Sequence, residues 1–199
     1  MSHPLVGLVG YARSGKDTVA NALCENLGYV KASMADPLRE MAAAINPVVG
    51  WGHAFGYGVG GPVYYRPAVE SLGYEAAKDR YPELRRFLQR LGTEGIRDHV
   101  GADYWVRAAE RRIQTADHPL VFSDIRFQNE AEMILRNGGV IVYVNRPSVA
   151  PVGDVHASEQ LPVVRGGWIL DNSGDLAHLA DAIVSLTEHL DHVALSTTE

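Results

Sequence analysis

The sequence predicts a three-layer α/β/α fold with a mostly parallel sheet of about five strands. Three observations carry this. Strand-sized apolar runs, Leu5–Val9, Leu120–Ile125 and Val140–Val144, alternate with segments whose apolar residues recur at helical spacing. The runs are continuous rather than alternating with polar residues, as strands covered on both faces are. A Gly-containing turn joins the first run to the first helical segment. Crossovers between such strands are right-handed, and ligands belong at the carboxyl ends of the strands.

The elements follow in order. Leu5–Val9 reads as a buried strand ending at Gly10, and Asp17–Leu27 as a helix with Val19, Ala20, Leu23 and Leu27 on one face. Gly28 stands where a left-handed C-terminal residue is needed. Tyr29–Ala32 reads as a strand. Asp36-Pro37 starts a helix that runs to about Ile45 and stops before Asn46-Pro47. Residues 46–67, in which Gly50, Gly52, Gly56, Gly58, Gly60 and Gly61 alternate with aromatic residues, read as a mobile surface insert without helix or strand. Leu84, Phe87, Leu88, Leu91 and Gly95 mark an amphipathic helix over 83–99, followed by another over Asp103–Ile113. Leu120–Ile125 is a strand, Asn129–Arg136 a helix and Val140–Val144 a strand. Residues 146–166 form a Pro/Gly-interrupted, lid-like loop. Trp168–Leu170 is a short strand, and Leu176–Leu190 the last helix, fraying beyond Val193.

With 199 residues the prior is one domain, 1–199, long enough to bury roughly 70% of its unfolded surface. Hydrophobic residues make up 46% and charged residues 21%, which argues against a disordered chain. Cys24, the one cysteine, excludes an internal disulfide framework and a Cys-rich zinc site. The net charge of −6, without a basic block, argues against nucleic-acid binding. No stretch approaches the ~20 apolar residues of a membrane span, and the Met-Ser-His-Pro start does not read as a targeting segment. The expectation is a cytoplasmic protein of its host cell.

The residues that carry chemistry cluster where strands end. Gly10-Tyr11-Ala12-Arg13-Ser14-Gly15-Lys16-Asp17-Thr18 matches G-x-x-x-x-G-K, follows a strand and opens a helix. That context marks a phosphate-binding loop. Its glycines let backbone N–H groups curl around phosphates, the helix N-terminus adds partial positive charge, and Lys16 reaches the β- and γ-phosphates with Arg13 at the rim. Asp17 stands where Ser or Thr usually ligates Mg²⁺. It binds the metal directly, binds it through water, or pairs with Arg13, and in any case favours the helix dipole. Asp124 ends a strand, where a carboxylate can hold a hydrated metal or cap a helix. Arg126 just beyond offers a guanidinium for a phosphate, while Asn129 and Glu130 cap and begin the next helix.

Asp36 is a natural N-cap, and Arg39 one turn on can face a cleft. In Leu88–Arg97, Gly92 and Gly95 each cost about 1 kcal/mol relative to alanine inside a helix, which suggests close approach of a packed helix or a ligand. Gln89 offers donor and acceptor to a base edge. Trp105 offers a stacking face, a steric wall or simply core. Arg146 ends a strand, and the loop after it holds Asp154, His156, Ser158, Glu159 and Arg165. Asn172-Ser173-Gly174 edges the donor's nucleoside or caps the last helix.

In combination these segments resemble the phage deoxynucleoside monophosphate kinases. The resemblance rests on Ser14-Gly15-Lys16-Asp17-Thr18, on Asp36-Pro37-Leu38-Arg39, and on Leu88-Gln89…Leu91-Gly92-Thr93-Glu94 with Trp105-Val106. It continues through Asp124-Ile125-Arg126-Phe127…Asn129-Glu130 and His156-Ala157-Ser158-Glu159, in family order over about residues 5–190. The aspartate after the loop lysine is itself a family trait. The resemblance implies a P-loop nucleoside monophosphate kinase fold with an acceptor-binding region and a lid. It implies transfer of the γ-phosphoryl group of ATP, with Mg²⁺, to a deoxynucleoside 5′-monophosphate. Lys16, Arg126 and Arg13 would be catalytic, and Gly10–Thr18, Arg146 and Asn172 would hold ATP. Asp36, Arg39, Gln89, Thr93, Arg97, Trp105 and Arg126 would hold the acceptor, and Asp17 and Asp124 the metal. Nucleotides are then the partners, without nucleic acid or membrane, and a homodimer stays open. Two alternatives also stay open: another small-acceptor kinase of the phosphomevalonate or dephospho-coenzyme A type, and a nucleotide-binding regulator without turnover.

Overall fold

In chain order the elements are β1 (Val6–Val9), α1 (Lys16–Leu27), β2 (Val30–Ala32), α2 (Asp36–Ile45), β3 (Val48–His53), β4 (Gly60–Tyr64), α3 (Tyr65–Leu72), α4 (Tyr74–Arg80) and α5 (Pro82–Gln89). A wide, π-type helix follows at Arg90–Arg97, then α6 (Tyr104–Gln114), β5 (Leu120–Ile125), α7 (Gln128–Arg136), β6 (Val140–Asn145), β7 (Trp168–Asp171) and α8 (Leu176–Ser196). This computed structural model describes residues 3–53, 60–149 and 161–196. Two compact units emerge: Met1–Met34 with Val106–Glu199, and Ala35–Trp105.

The first unit is built on a five-stranded sheet in the order β2-β5-β1-β6-β7, all pairs parallel. Continuous apolar strands give a sheet covered on both faces, as expected. Val6, Leu8, Val142, Val144 and Leu170 pack with Val19, Ala20 and Leu23 of α1 and with Leu179, Ile183, Leu186 and Leu190 of α8. On the other face a Cβ on Gly7 would come within 2.9 Å of Ile134 of α7, so that position admits only hydrogen. Truncating a fully buried leucine such as Leu8 or Leu23 to alanine costs about 2–5 kcal/mol. Gly28 ends α1 at φ 68°, in the left-handed conformation its position required. The last helix continues through Ser196, beyond the expected fraying point.

Because every strand is parallel, the carboxyl ends of β1, β2, β5, β6 and β7 lie on one edge of this sheet. β1 stands at the centre with crossovers leaving to either side, which is the switch point where α/β sheets bind ligands.

The second unit corrects the reading of residues 46–67. There β3 and β4 form an antiparallel hairpin that pairs Trp51 with Pro62 and Gly52 with Gly61, and α3 follows directly. At Gly50 packing requires glycine: a Cβ there would fall 2.7 Å from the Tyr81 ring. Residues 54–59 lie outside the described residues. The hairpin and helices α2–α5 share a core of Ala42, Val49, Val63, Tyr65, Ala68, Ala77, Leu84 and Leu88. The amphipathic helix expected over 83–99 is also corrected. It is an α-helix to Gln89 and then widens through Arg90–Arg97, with Gly92 buried against Leu38 at 2.9 Å from the position its Cβ would take. Such widened turns recur at functional sites.

Candidate active site

The loop between β1 and α1 is shaped by what two glycines lack. A Cβ on Gly10 would lie 2.6 Å from Ser14 Oγ and 2.8 Å from the Val144 carbonyl oxygen. A Cβ on Gly15 would lie 2.7 Å from Asn172 Nδ2, and Gly15 also sits at φ 100°. Arg13 adopts φ 65°, a left-handed conformation uncommon for a residue with a side chain and characteristic of ligand-binding turns. The Ser14 N–H closes the turn on the Tyr11 carbonyl at 3.1 Å. Helix α1 begins at Lys16, so its first amides have no intrahelical acceptor.

Lys16 Nζ donates to the carbonyls of Gly10 and Tyr11, both at 2.7 Å. Burial and then the like charge of Arg126 hold its ammonium below the ordinary lysine range, with Asp17 and Asp124 acting in the opposite sense. A desolvated lysine near an arginine, on carbonyl acceptors, is chemically able to take an anion such as a phosphate. Ala12, Arg13 and Thr18 are exposed around it, and Tyr11 is half-buried.

The other strand ends on this edge carry the remaining groups of the unit. Asp124 on β5 accepts from Ser33 Oγ at 2.6 Å and from the Met34 N–H at 2.8 Å, so β2 and β5 are clasped at their ends by that carboxylate. Arg126 is exposed, and its backbone N–H donates to Glu130 Oε2 at 2.9 Å, with Phe127 N–H adding a second bond at 3.2 Å. Glu130 is only 3% exposed and caps α7, as expected of it. Asp17 pairs with Lys31 of β2 at 2.5 Å rather than with Arg13. Arg146, after β6, donates to the Arg13 carbonyl at 3.4 Å. Asn172, after β7, is buried and donates to the Ser14 carbonyl at 2.8 Å.

Asp17 and Asp124 are the carboxylates to consider for a metal. Among the described residues no group of three or more His, Cys, Asp or Glu side chains forms a cluster. Hard oxygens from one or two carboxylates, completed by phosphate and water, are what Mg²⁺ takes, and these residues fit that ion.

In the second unit Arg39 donates to Asp36 at 3.1 Å and lies over the Tyr74 ring at 4.3 Å from its centroid. Lys78 Nζ lies 4.6 Å from the same centroid. Burial, with Tyr74 nearby, pushes the Tyr65 hydroxyl's pKa up, while Arg39 works against that rise. Sequence reasoning missed Tyr74, Lys78 and Lys31, since nothing in their own segments announces a partner. Gln89 is exposed, and Thr93 and Arg97 are partly exposed on and beside the widened helix. Trp105 is corrected as a stacking platform: it is 5% exposed and its indole N–H donates to the Gly92 carbonyl at 3.0 Å. Its ring secures the widened turn, and the half-buried Tyr104 meets it edge-on at 4.9 Å. Asp154, His156, Ser158 and Glu159 lie outside the described residues.

Comparison with known proteins gives this edge its family. A family model described as deoxynucleotide monophosphate kinase matches residues 70–183. A protein of Acanthamoeba polyphaga mimivirus, whose description as a deoxynucleotide monophosphate kinase is itself an assignment, is 30% identical over 171 residues, 78% of this chain and 80% of that one. Among solved structures, a gluconokinase from Sinorhizobium meliloti 1021 is similar at TM-score 0.48 and 18% identity, over 97% of each chain. A Thermus thermophilus protein is similar at TM-score 0.47 and 21% identity, over 95% of this chain and 99% of that one. A glycine-lysine loop at the centre of a parallel sheet, a family model over more than half of the chain and a relative at this identity agree: the chain belongs to the deoxynucleotide monophosphate kinase family, a family of nucleotide-binding phosphotransferases.

Proposed function

We propose that this kinase transfers the γ-phosphoryl group of ATP to a deoxynucleoside 5′-monophosphate. The observation that carries the reading is Lys16, held on loop carbonyls and lowered in pKa by burial and by Arg126. An anion at the loop would replace those carbonyls and relieve that repulsion.

A phosphate oxygen of the acceptor attacks the γ-phosphorus, the bond to the β–γ bridging oxygen breaks, and ADP leaves. The nucleophile is already anionic, so positioning and charge neutralisation do the work. The loop amides and Lys16 hold the donor's β- and γ-phosphates, with Arg13 and Arg146 at the rim. Arg126 spreads the charge that develops on the transferring group. On the acceptor side Arg39, braced by Asp36 and Tyr74, grips the monophosphate. Gln89, Thr93 and Arg97 face the nucleoside. Asp17 and Asp124 would hold Mg²⁺, which when bound neutralises the donor phosphates. Tyr104 is the candidate wall against a 2′-hydroxyl.

The test is ADP production from ATP and Mg²⁺ with each acceptor added singly: the deoxynucleoside monophosphates, their ribo counterparts, an isoprenoid phosphate and dephospho-coenzyme A. Stimulation by deoxynucleotides, with kcat/KM above that of the matching ribonucleotide, is expected. Stimulation only by a non-nucleotide acceptor, or by none, refutes the reading.

A further inference from the structure

Asn172, which the resemblance groups with the ATP-holding residues, takes no part in the steps proposed above, and its surroundings are specific. It is 4% exposed. Its backbone N–H donates to the Asn145 carbonyl at 2.8 Å, which fixes the residue at the end of β7. Its Nδ2 donates to the Ser14 carbonyl at 2.8 Å and occupies the space that a Cβ on Gly15 would need. It does not cap α8. There Asp175 accepts the His178 N–H at 2.9 Å, and Asp171 accepts that of Ser173 at 3.0 Å.

A trans peptide is planar, with its C=O and N–H pointing in opposite directions. A carbonyl of Ser14 aimed at Asn172 therefore turns the Gly15 N–H the other way, to the side where the loop curls. The Ser14–Gly15 plane is the one most able to flip, because glycine accepts both the present φ of 100° and its alternatives at little cost. A flipped plane would withdraw an N–H donor and present a carbonyl oxygen to the phosphates. We propose that Asn172 is a positioning residue that locks the Ser14–Gly15 peptide with its N–H toward the donor phosphates. It acts on ATP through the loop, not by touching the nucleotide. This rests on the reading of the loop as the ATP site. The side chain must donate, and a buried acceptor in its place would aim a carboxylate at a carbonyl.

The experiment compares Asn172→Ala and Asn172→Asp with the wild type and with Lys16→Ala. ATP affinity is measured by calorimetry, and KM for ATP and for the acceptor by kinetics, from pH 5.5 to 8.5, each normalised to the wild type at the same pH. Asn172→Ala is expected to weaken ATP about 5- to 10-fold, the worth of one neutral hydrogen bond. Asn172→Asp is expected to weaken it roughly 100-fold at neutral pH, since a charged acceptor then faces an unpaired carbonyl. That defect should shrink as pH falls, because burial raises the carboxyl's pKa and its protonated form donates to Ser14 as the amide does. The acceptor's KM should stay within about twofold, as a loop-specific effect requires. Because Asp is isosteric with Asn, its recovery at low pH separates loop positioning from general misfolding. ATP binding by the wild type that is lost in Lys16→Ala, together with an Asn172→Asp defect that is absent or independent of pH, overturns the role of Asn172 alone. No ATP binding by the wild type overturns the loop reading and this role with it.

Discussion

Replacing Glu130 by alanine should cost both stability and catalysis, and the cost can be worked from its contacts. The carboxylate is 3% exposed, accepts the Arg126 N–H at 2.9 Å and the Phe127 N–H at 3.2 Å, and stands in the first turn of α7. Hydrogen bonds to a charged partner contribute about 1.5–3 kcal/mol each, and the helix dipole adds about 0.3–1 kcal/mol. Removing a buried charge returns part of its desolvation cost, which leaves a net loss of about 2–4 kcal/mol. For a chain of this size that lowers Tm by roughly 5–15 °C. Glu130→Gln keeps a neutral oxygen acceptor and should lose only about 1 kcal/mol. Arg126 is itself one of the two bonded residues, so its guanidinium loses its backbone anchor. A misplacement of about 1 Å can cost on the order of 100-fold in rate, and kcat should fall in Glu130→Ala well beyond any change in KM for ATP. Urea denaturation should be followed by Trp168 in the first unit and separately by amide exchange around residues 126–131, because two units need not unfold together. A Glu130→Ala protein within about 0.5 kcal/mol of the wild type, the range of an ordinary surface change, would refute the reasoning. So would a Glu130→Gln protein no better than the alanine variant.

Lys16→Ala should lower turnover on the order of 10³-fold with the fold retained, read by circular dichroism and steady-state rates. Because its pKa is lowered, the protonated form is lost as pH rises through a value below the ordinary lysine range. kcat/KM for ATP should therefore decline on that alkaline limb, and Arg126→Met should move the limb upward by removing the like charge. Tyr74→Leu should raise the acceptor's KM about 2- to 5-fold with KM for ATP unchanged, and Tyr74→Phe should restore it, since the ring face and not the hydroxyl holds Arg39. In a Mg²⁺ titration at saturating nucleotide, Asp17→Asn should raise the concentration for half-maximal rate, and Lys31→Met should lower it by releasing the carboxylate. An unshifted midpoint in both counts against metal binding by Asp17.

What the sequence made legible follows from how local the determinants are. The strand, the glycine-lysine loop and α1 could be read because each rests on neighbours within a few residues. The bounds of α2 came out as read, since Pro37 and Asn46 punctuate it from within, Asn46 at φ 48°. The hairpin β3–β4 was illegible because its run of glycines argues against strand, and the one that packing requires, Gly50, meets a ring 31 positions on, that of Tyr81. Helices α3 and α4 are short and broken at Gly73, so periodicity had too few turns to register. At the site, side-chain types could be read but partners could not. Lys31 meets Asp17 across 14 residues and Asn172 meets Ser14 across 158, and only the order of the parallel strands brings them together. Trp105 was ambiguous for the same reason: its burial is set by the Gly92 carbonyl, 13 residues back.

The chain carries a net charge of −6, yet its proposed ligands are polyanions. The average charge matters little at close range, because salt screens beyond about 8 Å and the local set decides. On the strand-end edge that set contains Arg13, Lys16, Arg126 and Arg146, with Asp17 and Asp124 as the carboxylates that act on Lys16; Asp171, at the end of β7, is taken up by Ser173. Both carboxylates are engaged sideways. Asp17 holds Lys31, and Asp124 clasps Ser33 and Met34. Lys16 is held instead by carbonyl dipoles, which orient a cation without cancelling its charge. That is the physical content of its lowered pKa: the free protein keeps a desolvated ammonium beside a guanidinium at a cost in stability. A stable fold gains nothing from such a pair. A phosphate gains both cations at once, and the strain they impose on each other is released only when it binds. In the proposed reaction, charge that grows on the transferring group would deepen that release, so the same two residues would bind the ground state and favour the transition state more.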